Sequence, residues 1–341
     1  MRTPALRSAP GSRLATAVVP LVVLLLLAAV PLAASAYLQD LVVRILIFSI
    51  FALSLELLVG TTGLVSLGHA AFLGIGAYAT VLGAPASDPG SLVGLLALAI
   101  GAAGLYAAVT GALSLRTRGV YFIMVTLAFA QMAYFIVHDT KAGGGSDGIY
   151  LNVKPIVGPA DAPWLDPGNR TALYFAVLAA FALVYALLAL LLRSRFGHAL
   201  VGIRLNEQRM RAAGFPTFLY KWAAFVIAGM LAAVAGFLIA VRDGFVNPEM
   251  LAWHESGAVL IMLILGGLGH LRGAVLGAVA FTLLKEAYQS QGIVGPLADH
   301  WQLTLGVTII VLVAAMPKGL VGLPDLPRRR QPPVDVEADD D

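Results

Sequence analysis

Residues 171–192 read TALYFAVLAAFALVYALLALLL, and Arg193-Ser194-Arg195 follows at once. The run contains no charged residue. As helix it is about 33 Å long, the thickness of a bilayer's hydrocarbon core. A helix on a soluble protein keeps a polar face, whereas this one is apolar all round, as a membrane span is. The pattern recurs. Apolar segments lie at 14–36, 41–59, 66–83, 91–113, 119–138, 171–192, 221–241, 254–270, 272–288 and 302–316. The expected fold is all-α, a polytopic integral membrane protein with about ten transmembrane segments. The third, eighth and ninth segments are short or Gly-rich and read as half-helices or tilted pieces.

Composition agrees. Of 341 residues, 59% are hydrophobic and 12% charged, and the mean hydropathy is +0.87. A soluble domain carries roughly 25% charged residues, so a two-domain soluble enzyme is excluded. Net charge is +3, too small to point to nucleic acid; the expected surroundings are the lipid bilayer. The chain has no cysteine, which removes disulfides, thiolate metal sites and cysteine nucleophiles.

The positions of Lys and Arg orient the spans. With the N-terminus inside, sixteen of the 22 basic residues fall on the inner side, among them Arg116, Arg118, Arg193, Arg195, Arg204, Arg209, Arg211, Lys221 and Arg272. Lys141, Lys154, Arg170 and Arg242 fall outside, and Arg44 and Lys285 sit near outer ends, where they can snorkel to the interface. Both termini are then cytoplasmic. The first segment shares features with a signal peptide, but its apolar stretch is long for that role, and a retained helix is expected. Residues 1–323 read as one transmembrane domain. Residues 324–341 carry Arg328–Arg330 and then Asp335, Glu337 and Asp339–Asp341, and read as a disordered charged tail.

The inner loop at 194–220 is the most informative polar stretch. Leu200, Ile203 and Met210 can share one face of a short amphipathic helix, with Arg204, Glu207 and Arg211 beside them. Gly214 and Pro216 stop it. Such a helix either lies on anionic lipid or docks a cytoplasmic partner. Two Gly-rich breaks form a second feature. One runs from Gly60 through Gly63, Ser66, Gly68 and His69; the other is Leu265-Gly266-Gly267-Leu268-Gly269-His270. Both contain Leu-Gly-His, and both end a segment running inward. Broken spans in corresponding places point to a substrate path, because freed backbone polar groups are tolerated only beside protein or a water-filled cavity. Close helix packing is the other reason for such glycines. Glu56, Thr126, Gln131 and Glu255 are further polar groups within or near spans. Free amides at Gly63–Gly68 would suit an anion, and Glu56 or Glu255 a cation. No phosphate-binding Gly-x-x-x-x-Gly-Lys-[Ser/Thr] loop and no metal-ligand spacing appears, so no catalytic constellation is read.

The stretch Gly63-Leu-Val-Ser-Leu-Gly-His-Ala-Ala-Phe-Leu-Gly-Ile-Gly-Ala-Tyr78 resembles a signature of the permease subunits of branched-chain amino acid ABC importers, the LivM-type branch. Arg118–Leu127 with Gly144–Gly148, Phe196–Glu207 with Gly214, Leu265–Gly269 and Pro317–Gly322 resemble the family in the same order, over residues 41–323. The resemblance implies a subunit that hydrolyses no ATP itself. A second related permease, two cytoplasmic ATPase subunits that bind ATP and Mg, and an extracytoplasmic substrate-binding protein would complete the importer. The setting would be a bacterial or archaeal cytoplasmic membrane. Gly197, Arg204, Asn206, Glu207, Arg209, Arg211 and Gly214 then belong to an ATPase-coupling loop. Glu56, Gly63, Ser66, Gly68, His69, Thr126, Gln131, Glu255, Gly266, Gly267 and Gly269 become candidates for the substrate pathway. The family takes amino acids and other small polar solutes. The rival reading is a self-sufficient secondary transporter or channel, which would move its solute without ATP.

Overall fold

Each apolar run becomes a helix. The computed structural model describes residues 22–32, 34–159, 163–316 and 318–325. Thirteen α-helices follow in order among them: α1 Val22–Leu32, α2 Ala36–Glu56, α3 His69–Gly83, α4 Leu92–Ser114, α5 Val120–Asp139, α6 Arg170–Arg193, α7 Arg195–Leu205, α8 Glu207–Ala212, α9 Thr217–Asp243, α10 Trp253–Gly266, α11 Leu271–Gln289, α12 Gln291–Val294 and α13 Trp301–Ala315. A two-residue antiparallel ladder pairs β1 (Ile149–Tyr150) with β2 (Phe245–Val246). Side chains cap the long helices where the sequence supplies them. Ser35, Ser91 and Asn169 accept from backbone N–H groups of the first turns of α2, α4 and α6.

All ten apolar segments have a helical counterpart, but they differ in reach. Among the described residues, six helical stretches are long and apolar enough to cross a bilayer: α2 with its continuation to Thr62, α4, α5, α6, α9 and the stretch containing α13. α10 and α11 pass that test only together, bent by 114° at their break, which makes at most seven. α1 and α3 are shorter apolar helices. The chain is thus an all-α polytopic membrane protein with six or seven full-length spans by helix length, where apolar content alone suggests ten. The difference lies in the first segment and in the three that read as short or Gly-rich. Residues 14–21 of the first segment, residues 326–341 of the tail and the arginines at both extremes lie outside the described residues.

α2 and α9 form the centre. In each, 78% of the most apolar window is buried, against 12–28% in α4, α5, α6 and the α13 stretch, whose apolar faces are left for lipid or a partner. Small residues let α3 and α9 touch backbone to backbone. A Cβ on Gly236 would run into the carbonyl oxygen of Leu73, and one on Gly76 would meet Ala233. Around this seam Phe51, Phe72, Phe225 and Phe237 fill the core. Tyr174 ties α6 to α1 by donating to the carbonyl of Leu27 at 2.6 Å.

The bundle has two ends. At one, α7 and α8 close over the tips of α2, α6 and α9. At the other, β1 pairs β2, Arg170 lies 3.7 Å from Asp40, and Lys154 donates to the carbonyl of Arg242.

Candidate functional site

The expected single amphipathic helix at 194–220 is two helices. Asn206 breaks it: its extended backbone ends α7, and its side chain accepts from the N–H of Arg209 at 2.9 Å, so it caps α8. Asparagine competes for nearby backbone donors in this way, which makes it a better cap than helix interior. Leu200 and Ile203 are buried as expected, while Met210 on the second helix is half-buried. Gly197 sits where a Cβ would press on the backbone of Leu192, which allows the tight turn from α6 into α7. Gly214 has φ +87°, the left-handed backbone that turns α8 back toward α9.

Glu207 is the hub of the loop. Its Oε1 accepts from Arg211 Nη2 at 2.6 Å, Lys221 Nζ at 2.9 Å and Thr217 Oγ1 at 3.1 Å. Burial alone would raise its pKa. The hydrogen bonds and charge of Lys221, with those of Arg211 and the Thr217 hydroxyl, outweigh burial and hold the carboxyl at about 2. Glu207 therefore locks α8 onto the start of α9. Arg209 remains exposed, as do Leu205 and Phe215 beside it.

Arg204 is exposed too, but its guanidinium reaches the first break. Its Nη1 donates to the carbonyl oxygen of Gly60, and its stem lies where a Cβ on Gly63 would touch it. That carbonyl belongs to the first break. α2 does not stop at Glu56 but widens into a π-helical turn, Leu57–Thr62, ended by Gly63 at φ +76°. Ser66 Oγ then accepts from the N–H of Gly68, and α3 begins at His69. Glu56 is buried at the start of the wide turn, and a Cβ on Gly60 would occupy the place of its carboxylate. From there Glu56 Oε1 accepts from the N–H of Gly269, in the second break, at 2.7 Å. Arg204 thus holds the wide turn from the loop side and Glu56, packed against Gly60 in that same turn, holds Gly269 from the other. The two breaks with matching Leu-Gly-His sequences meet in space.

The remaining pathway candidates divide. Ser66, Gly68 and Thr126 line a small cavity of about 10 Å³ together with Tyr106 and Phe225, roughly the room one water needs. His69 lies in the packing between α2 and α3, sharing a 2.8 Å hydrogen bond with Ser54 Oγ and stacked on Phe51. Gln131 is half-buried on α5 and lines neither this cavity nor the larger one that Glu255 lines. Gly266 serves close packing, since a Cβ there would strike the carbonyl of Gly273 across the α10–α11 bend. Gly267 has φ +110° and approaches the carbonyl of Lys318. Glu255 lines a larger cavity of about 400 Å³ at the end of the bundle away from α7 and α8. Arg44 and Lys285, expected to snorkel, line the same cavity. Arg44 is held there by Glu286 at 3.2 Å. Sequence reasoning missed this cavity because its lining joins α2 to the turn before α10 and to α10, α11 and α13, which lie far along the chain from α2. The available signal was the adjacent Lys285 and Glu286, which on a helix need separate partners.

Residues 37–316 match the family model described as "Branched-chain amino acid transport system / permease component". Two relatives are high-affinity branched-chain amino acid transport system permease proteins LivM. That of Escherichia coli (strain K12) is 31% identical over 325 residues, which cover 88% of this chain and 74% of the relative. That of Salmonella typhimurium is 30% identical over 303 residues, 83% of this chain and 69% of the relative. A shorter match reaches the L-arabinose transport system permease protein AraH of Escherichia coli, 26% identical over 54% of each chain. No solved structure matches. The family model spans the helices that carry both breaks and the α7–α8 loop, and this chain belongs to the branched-chain amino acid transport permeases.

Proposed function

We propose that this chain is a membrane subunit of an ATP-driven importer for branched-chain amino acids, with ATP and Mg bound by separate cytoplasmic subunits. A second, related permease and an extracytoplasmic binding protein complete the proposed assembly. The amino acid class rests on the LivM relatives, which match over most of the chain, whereas the sugar permease matches over about half. The setting proposed is a bacterial or archaeal cytoplasmic membrane, with α7 and α8 on the cytoplasmic side.

One observation carries the mechanism: Arg204 reaches from α7 to the Gly60 carbonyl, and Glu56 in the same turn holds Gly269. In this reading the ATPases grip the exposed face of α7–α8 around Leu205, Arg209 and Phe215. Closure of the ATPases on ATP shifts α7, and Arg204 carries the shift to both breaks at once. π-helical turns of this kind recur at functional places because the wide turn has alternative hydrogen-bond registers. Transport further requires that substrate affinity differ between the two states of the permease pair.

The test is affinity purification from native membranes in mild detergent, followed by reconstitution into vesicles. A second permease and ATPases are expected to accompany the chain, and uptake of L-leucine is expected to require ATP. A chain that purifies alone and moves solute down an ion gradient without ATP would overturn the proposal in favour of a secondary transporter.

A further inference from the structure

The cavity of about 400 Å³ at the end away from α7 and α8 has an unusual charge balance. Arg44 and Glu286 satisfy each other, and Tyr37 adds a 2.7 Å hydrogen bond to Glu286. Lys285 and Glu255 face the same space from α11 and α10. Among the described residues neither forms an ion pair. Lys285 Nζ lies 5.5 Å from the centre of the Trp301 ring. Thr282 also lines the cavity, is only 4% exposed, and among the described residues its Oγ1 has no hydrogen-bond partner. The rest of the wall includes Phe48, Met262 and Phe281.

Charged groups within a membrane domain are costly unless they are matched or serve a ligand. Here the Lys285 ammonium, the Glu255 carboxylate and the Thr282 hydroxyl stand around a space with a partly apolar wall, to which Glu249 and His254 add an exposed carboxylate and an exposed imidazole. We infer that this cavity is a binding site for a zwitterionic amino acid with an apolar side chain. Lys285 and the Thr282 hydroxyl take its carboxylate, Glu255 takes its ammonium, and Phe48, Met262 and Phe281 pack on the side chain. A neutral sugar would leave both charges unmet, and buried polar groups left unpaired are what make a site reject the wrong ligand. The cavity volume lies in the range of small-molecule sites. Its role as a station on the import path rests on the function proposed above.

The chain contains no cysteine, so Thr282→Cys places a single thiol on it. The complex carrying this substitution, with its partner subunits in vesicles, is treated with a small charged methanethiosulfonate, and the unsubstituted complex serves as the background. Saturating L-leucine is expected to slow labelling at residue 282, and L-arabinose at the same concentration is not. Adding Lys285→Met or Glu255→Gln is expected to raise the leucine concentration giving half-protection about tenfold, the scale of one lost charged contact. Lys285→Arg is expected to restore most of the effect. If Thr282→Cys does not assemble, or its thiol is too buried to label, the leucine concentration for half-maximal uptake in Lys285→Met and Glu255→Gln decides, with the same tenfold rise expected. Unchanged labelling in a complex that imports leucine on ATP would overturn the site and leave the importer reading standing. A complex that hydrolyses ATP to import arabinose but not leucine would overturn both.

Discussion

At the scale of single residues, two carboxylates do different work. Glu207 holds three donors, and its folded pKa of about 2 lies below the ordinary carboxylate value of 4.5. A depressed pKa means stability that is present above the ordinary value and lost as pH falls through the folded one. The α8 lock is therefore intact at neutral pH and opens between about pH 4.5 and 2. Hydrogen exchange of residues 206–216 is expected to rise across that window, and Glu207→Gln is expected to show fast exchange already at pH 7. Glu56 binds one backbone N–H across the two breaks. Glu56→Gln keeps an acceptor and should preserve slow exchange at Gly269. Glu56→Ala loses a hydrogen bond worth on the order of 1 kcal/mol, so exchange there should rise roughly fivefold. Glu56 was legible as a costly acid in an apolar run. Its partner was not, because Gly269 contributes only a backbone amide, which has no sequence signature. Arg204 likewise read as one of several loop arginines; both it and Arg209 are exposed, and only the fold shows that Arg204 reaches the Gly60 carbonyl.

Elements show where periodicity succeeds and stops. The apolar runs marked helices reliably, and Gly content marked α3, α10 and α11 as the pieces that do not cross alone. The break at Asn206 escaped because the apolar spacing of Leu200, Ile203 and Met210 continues across it, while the cap depends on one side chain folding back. The α3–α9 seam depends on small residues that composition cannot assign to a partner. There Gly236→Leu would push against the Leu73 backbone. Overpacking of this kind costs about 1–3 kcal/mol or more, so the yield of folded protein in detergent should fall, with Gly257→Leu, which faces open space, as the control. At the loop, Gly214→Ala forces a side chain into the left-handed region at a cost of roughly 1–2 kcal/mol. Limited proteolysis near residue 214 should then accelerate while the membrane helices stay resistant.

Over the whole molecule, two end-specific features are joined by the buried α2 and α9. The end with α7 and α8 gathers the exposed basic loop and both helix breaks; the other holds the cavity lined by Lys285 and Glu255, neither in an ion pair among the described residues. α2 runs between them, carrying Arg44 near one end and Glu56 and Gly60 at the other, and α10 and α11 join at the second break. Under the proposed function, a shift delivered at Arg204 would act on the same helices that wall the cavity. In the proposed function this arginine transmits the work of ATP hydrolysis to the membrane domain. The direct measurement compares ATP-driven L-leucine uptake and ATP hydrolysis in vesicles holding the complete complex, with wild-type chain and with Arg204→Ala. ATPase subunits are expected still to co-purify and hydrolyse ATP, since Leu205, Arg209 and Phe215 remain, while uptake per ATP is expected to fall about tenfold, the scale of one lost charged contact. Wild-type uptake per ATP in the Arg204→Ala complex would contradict it.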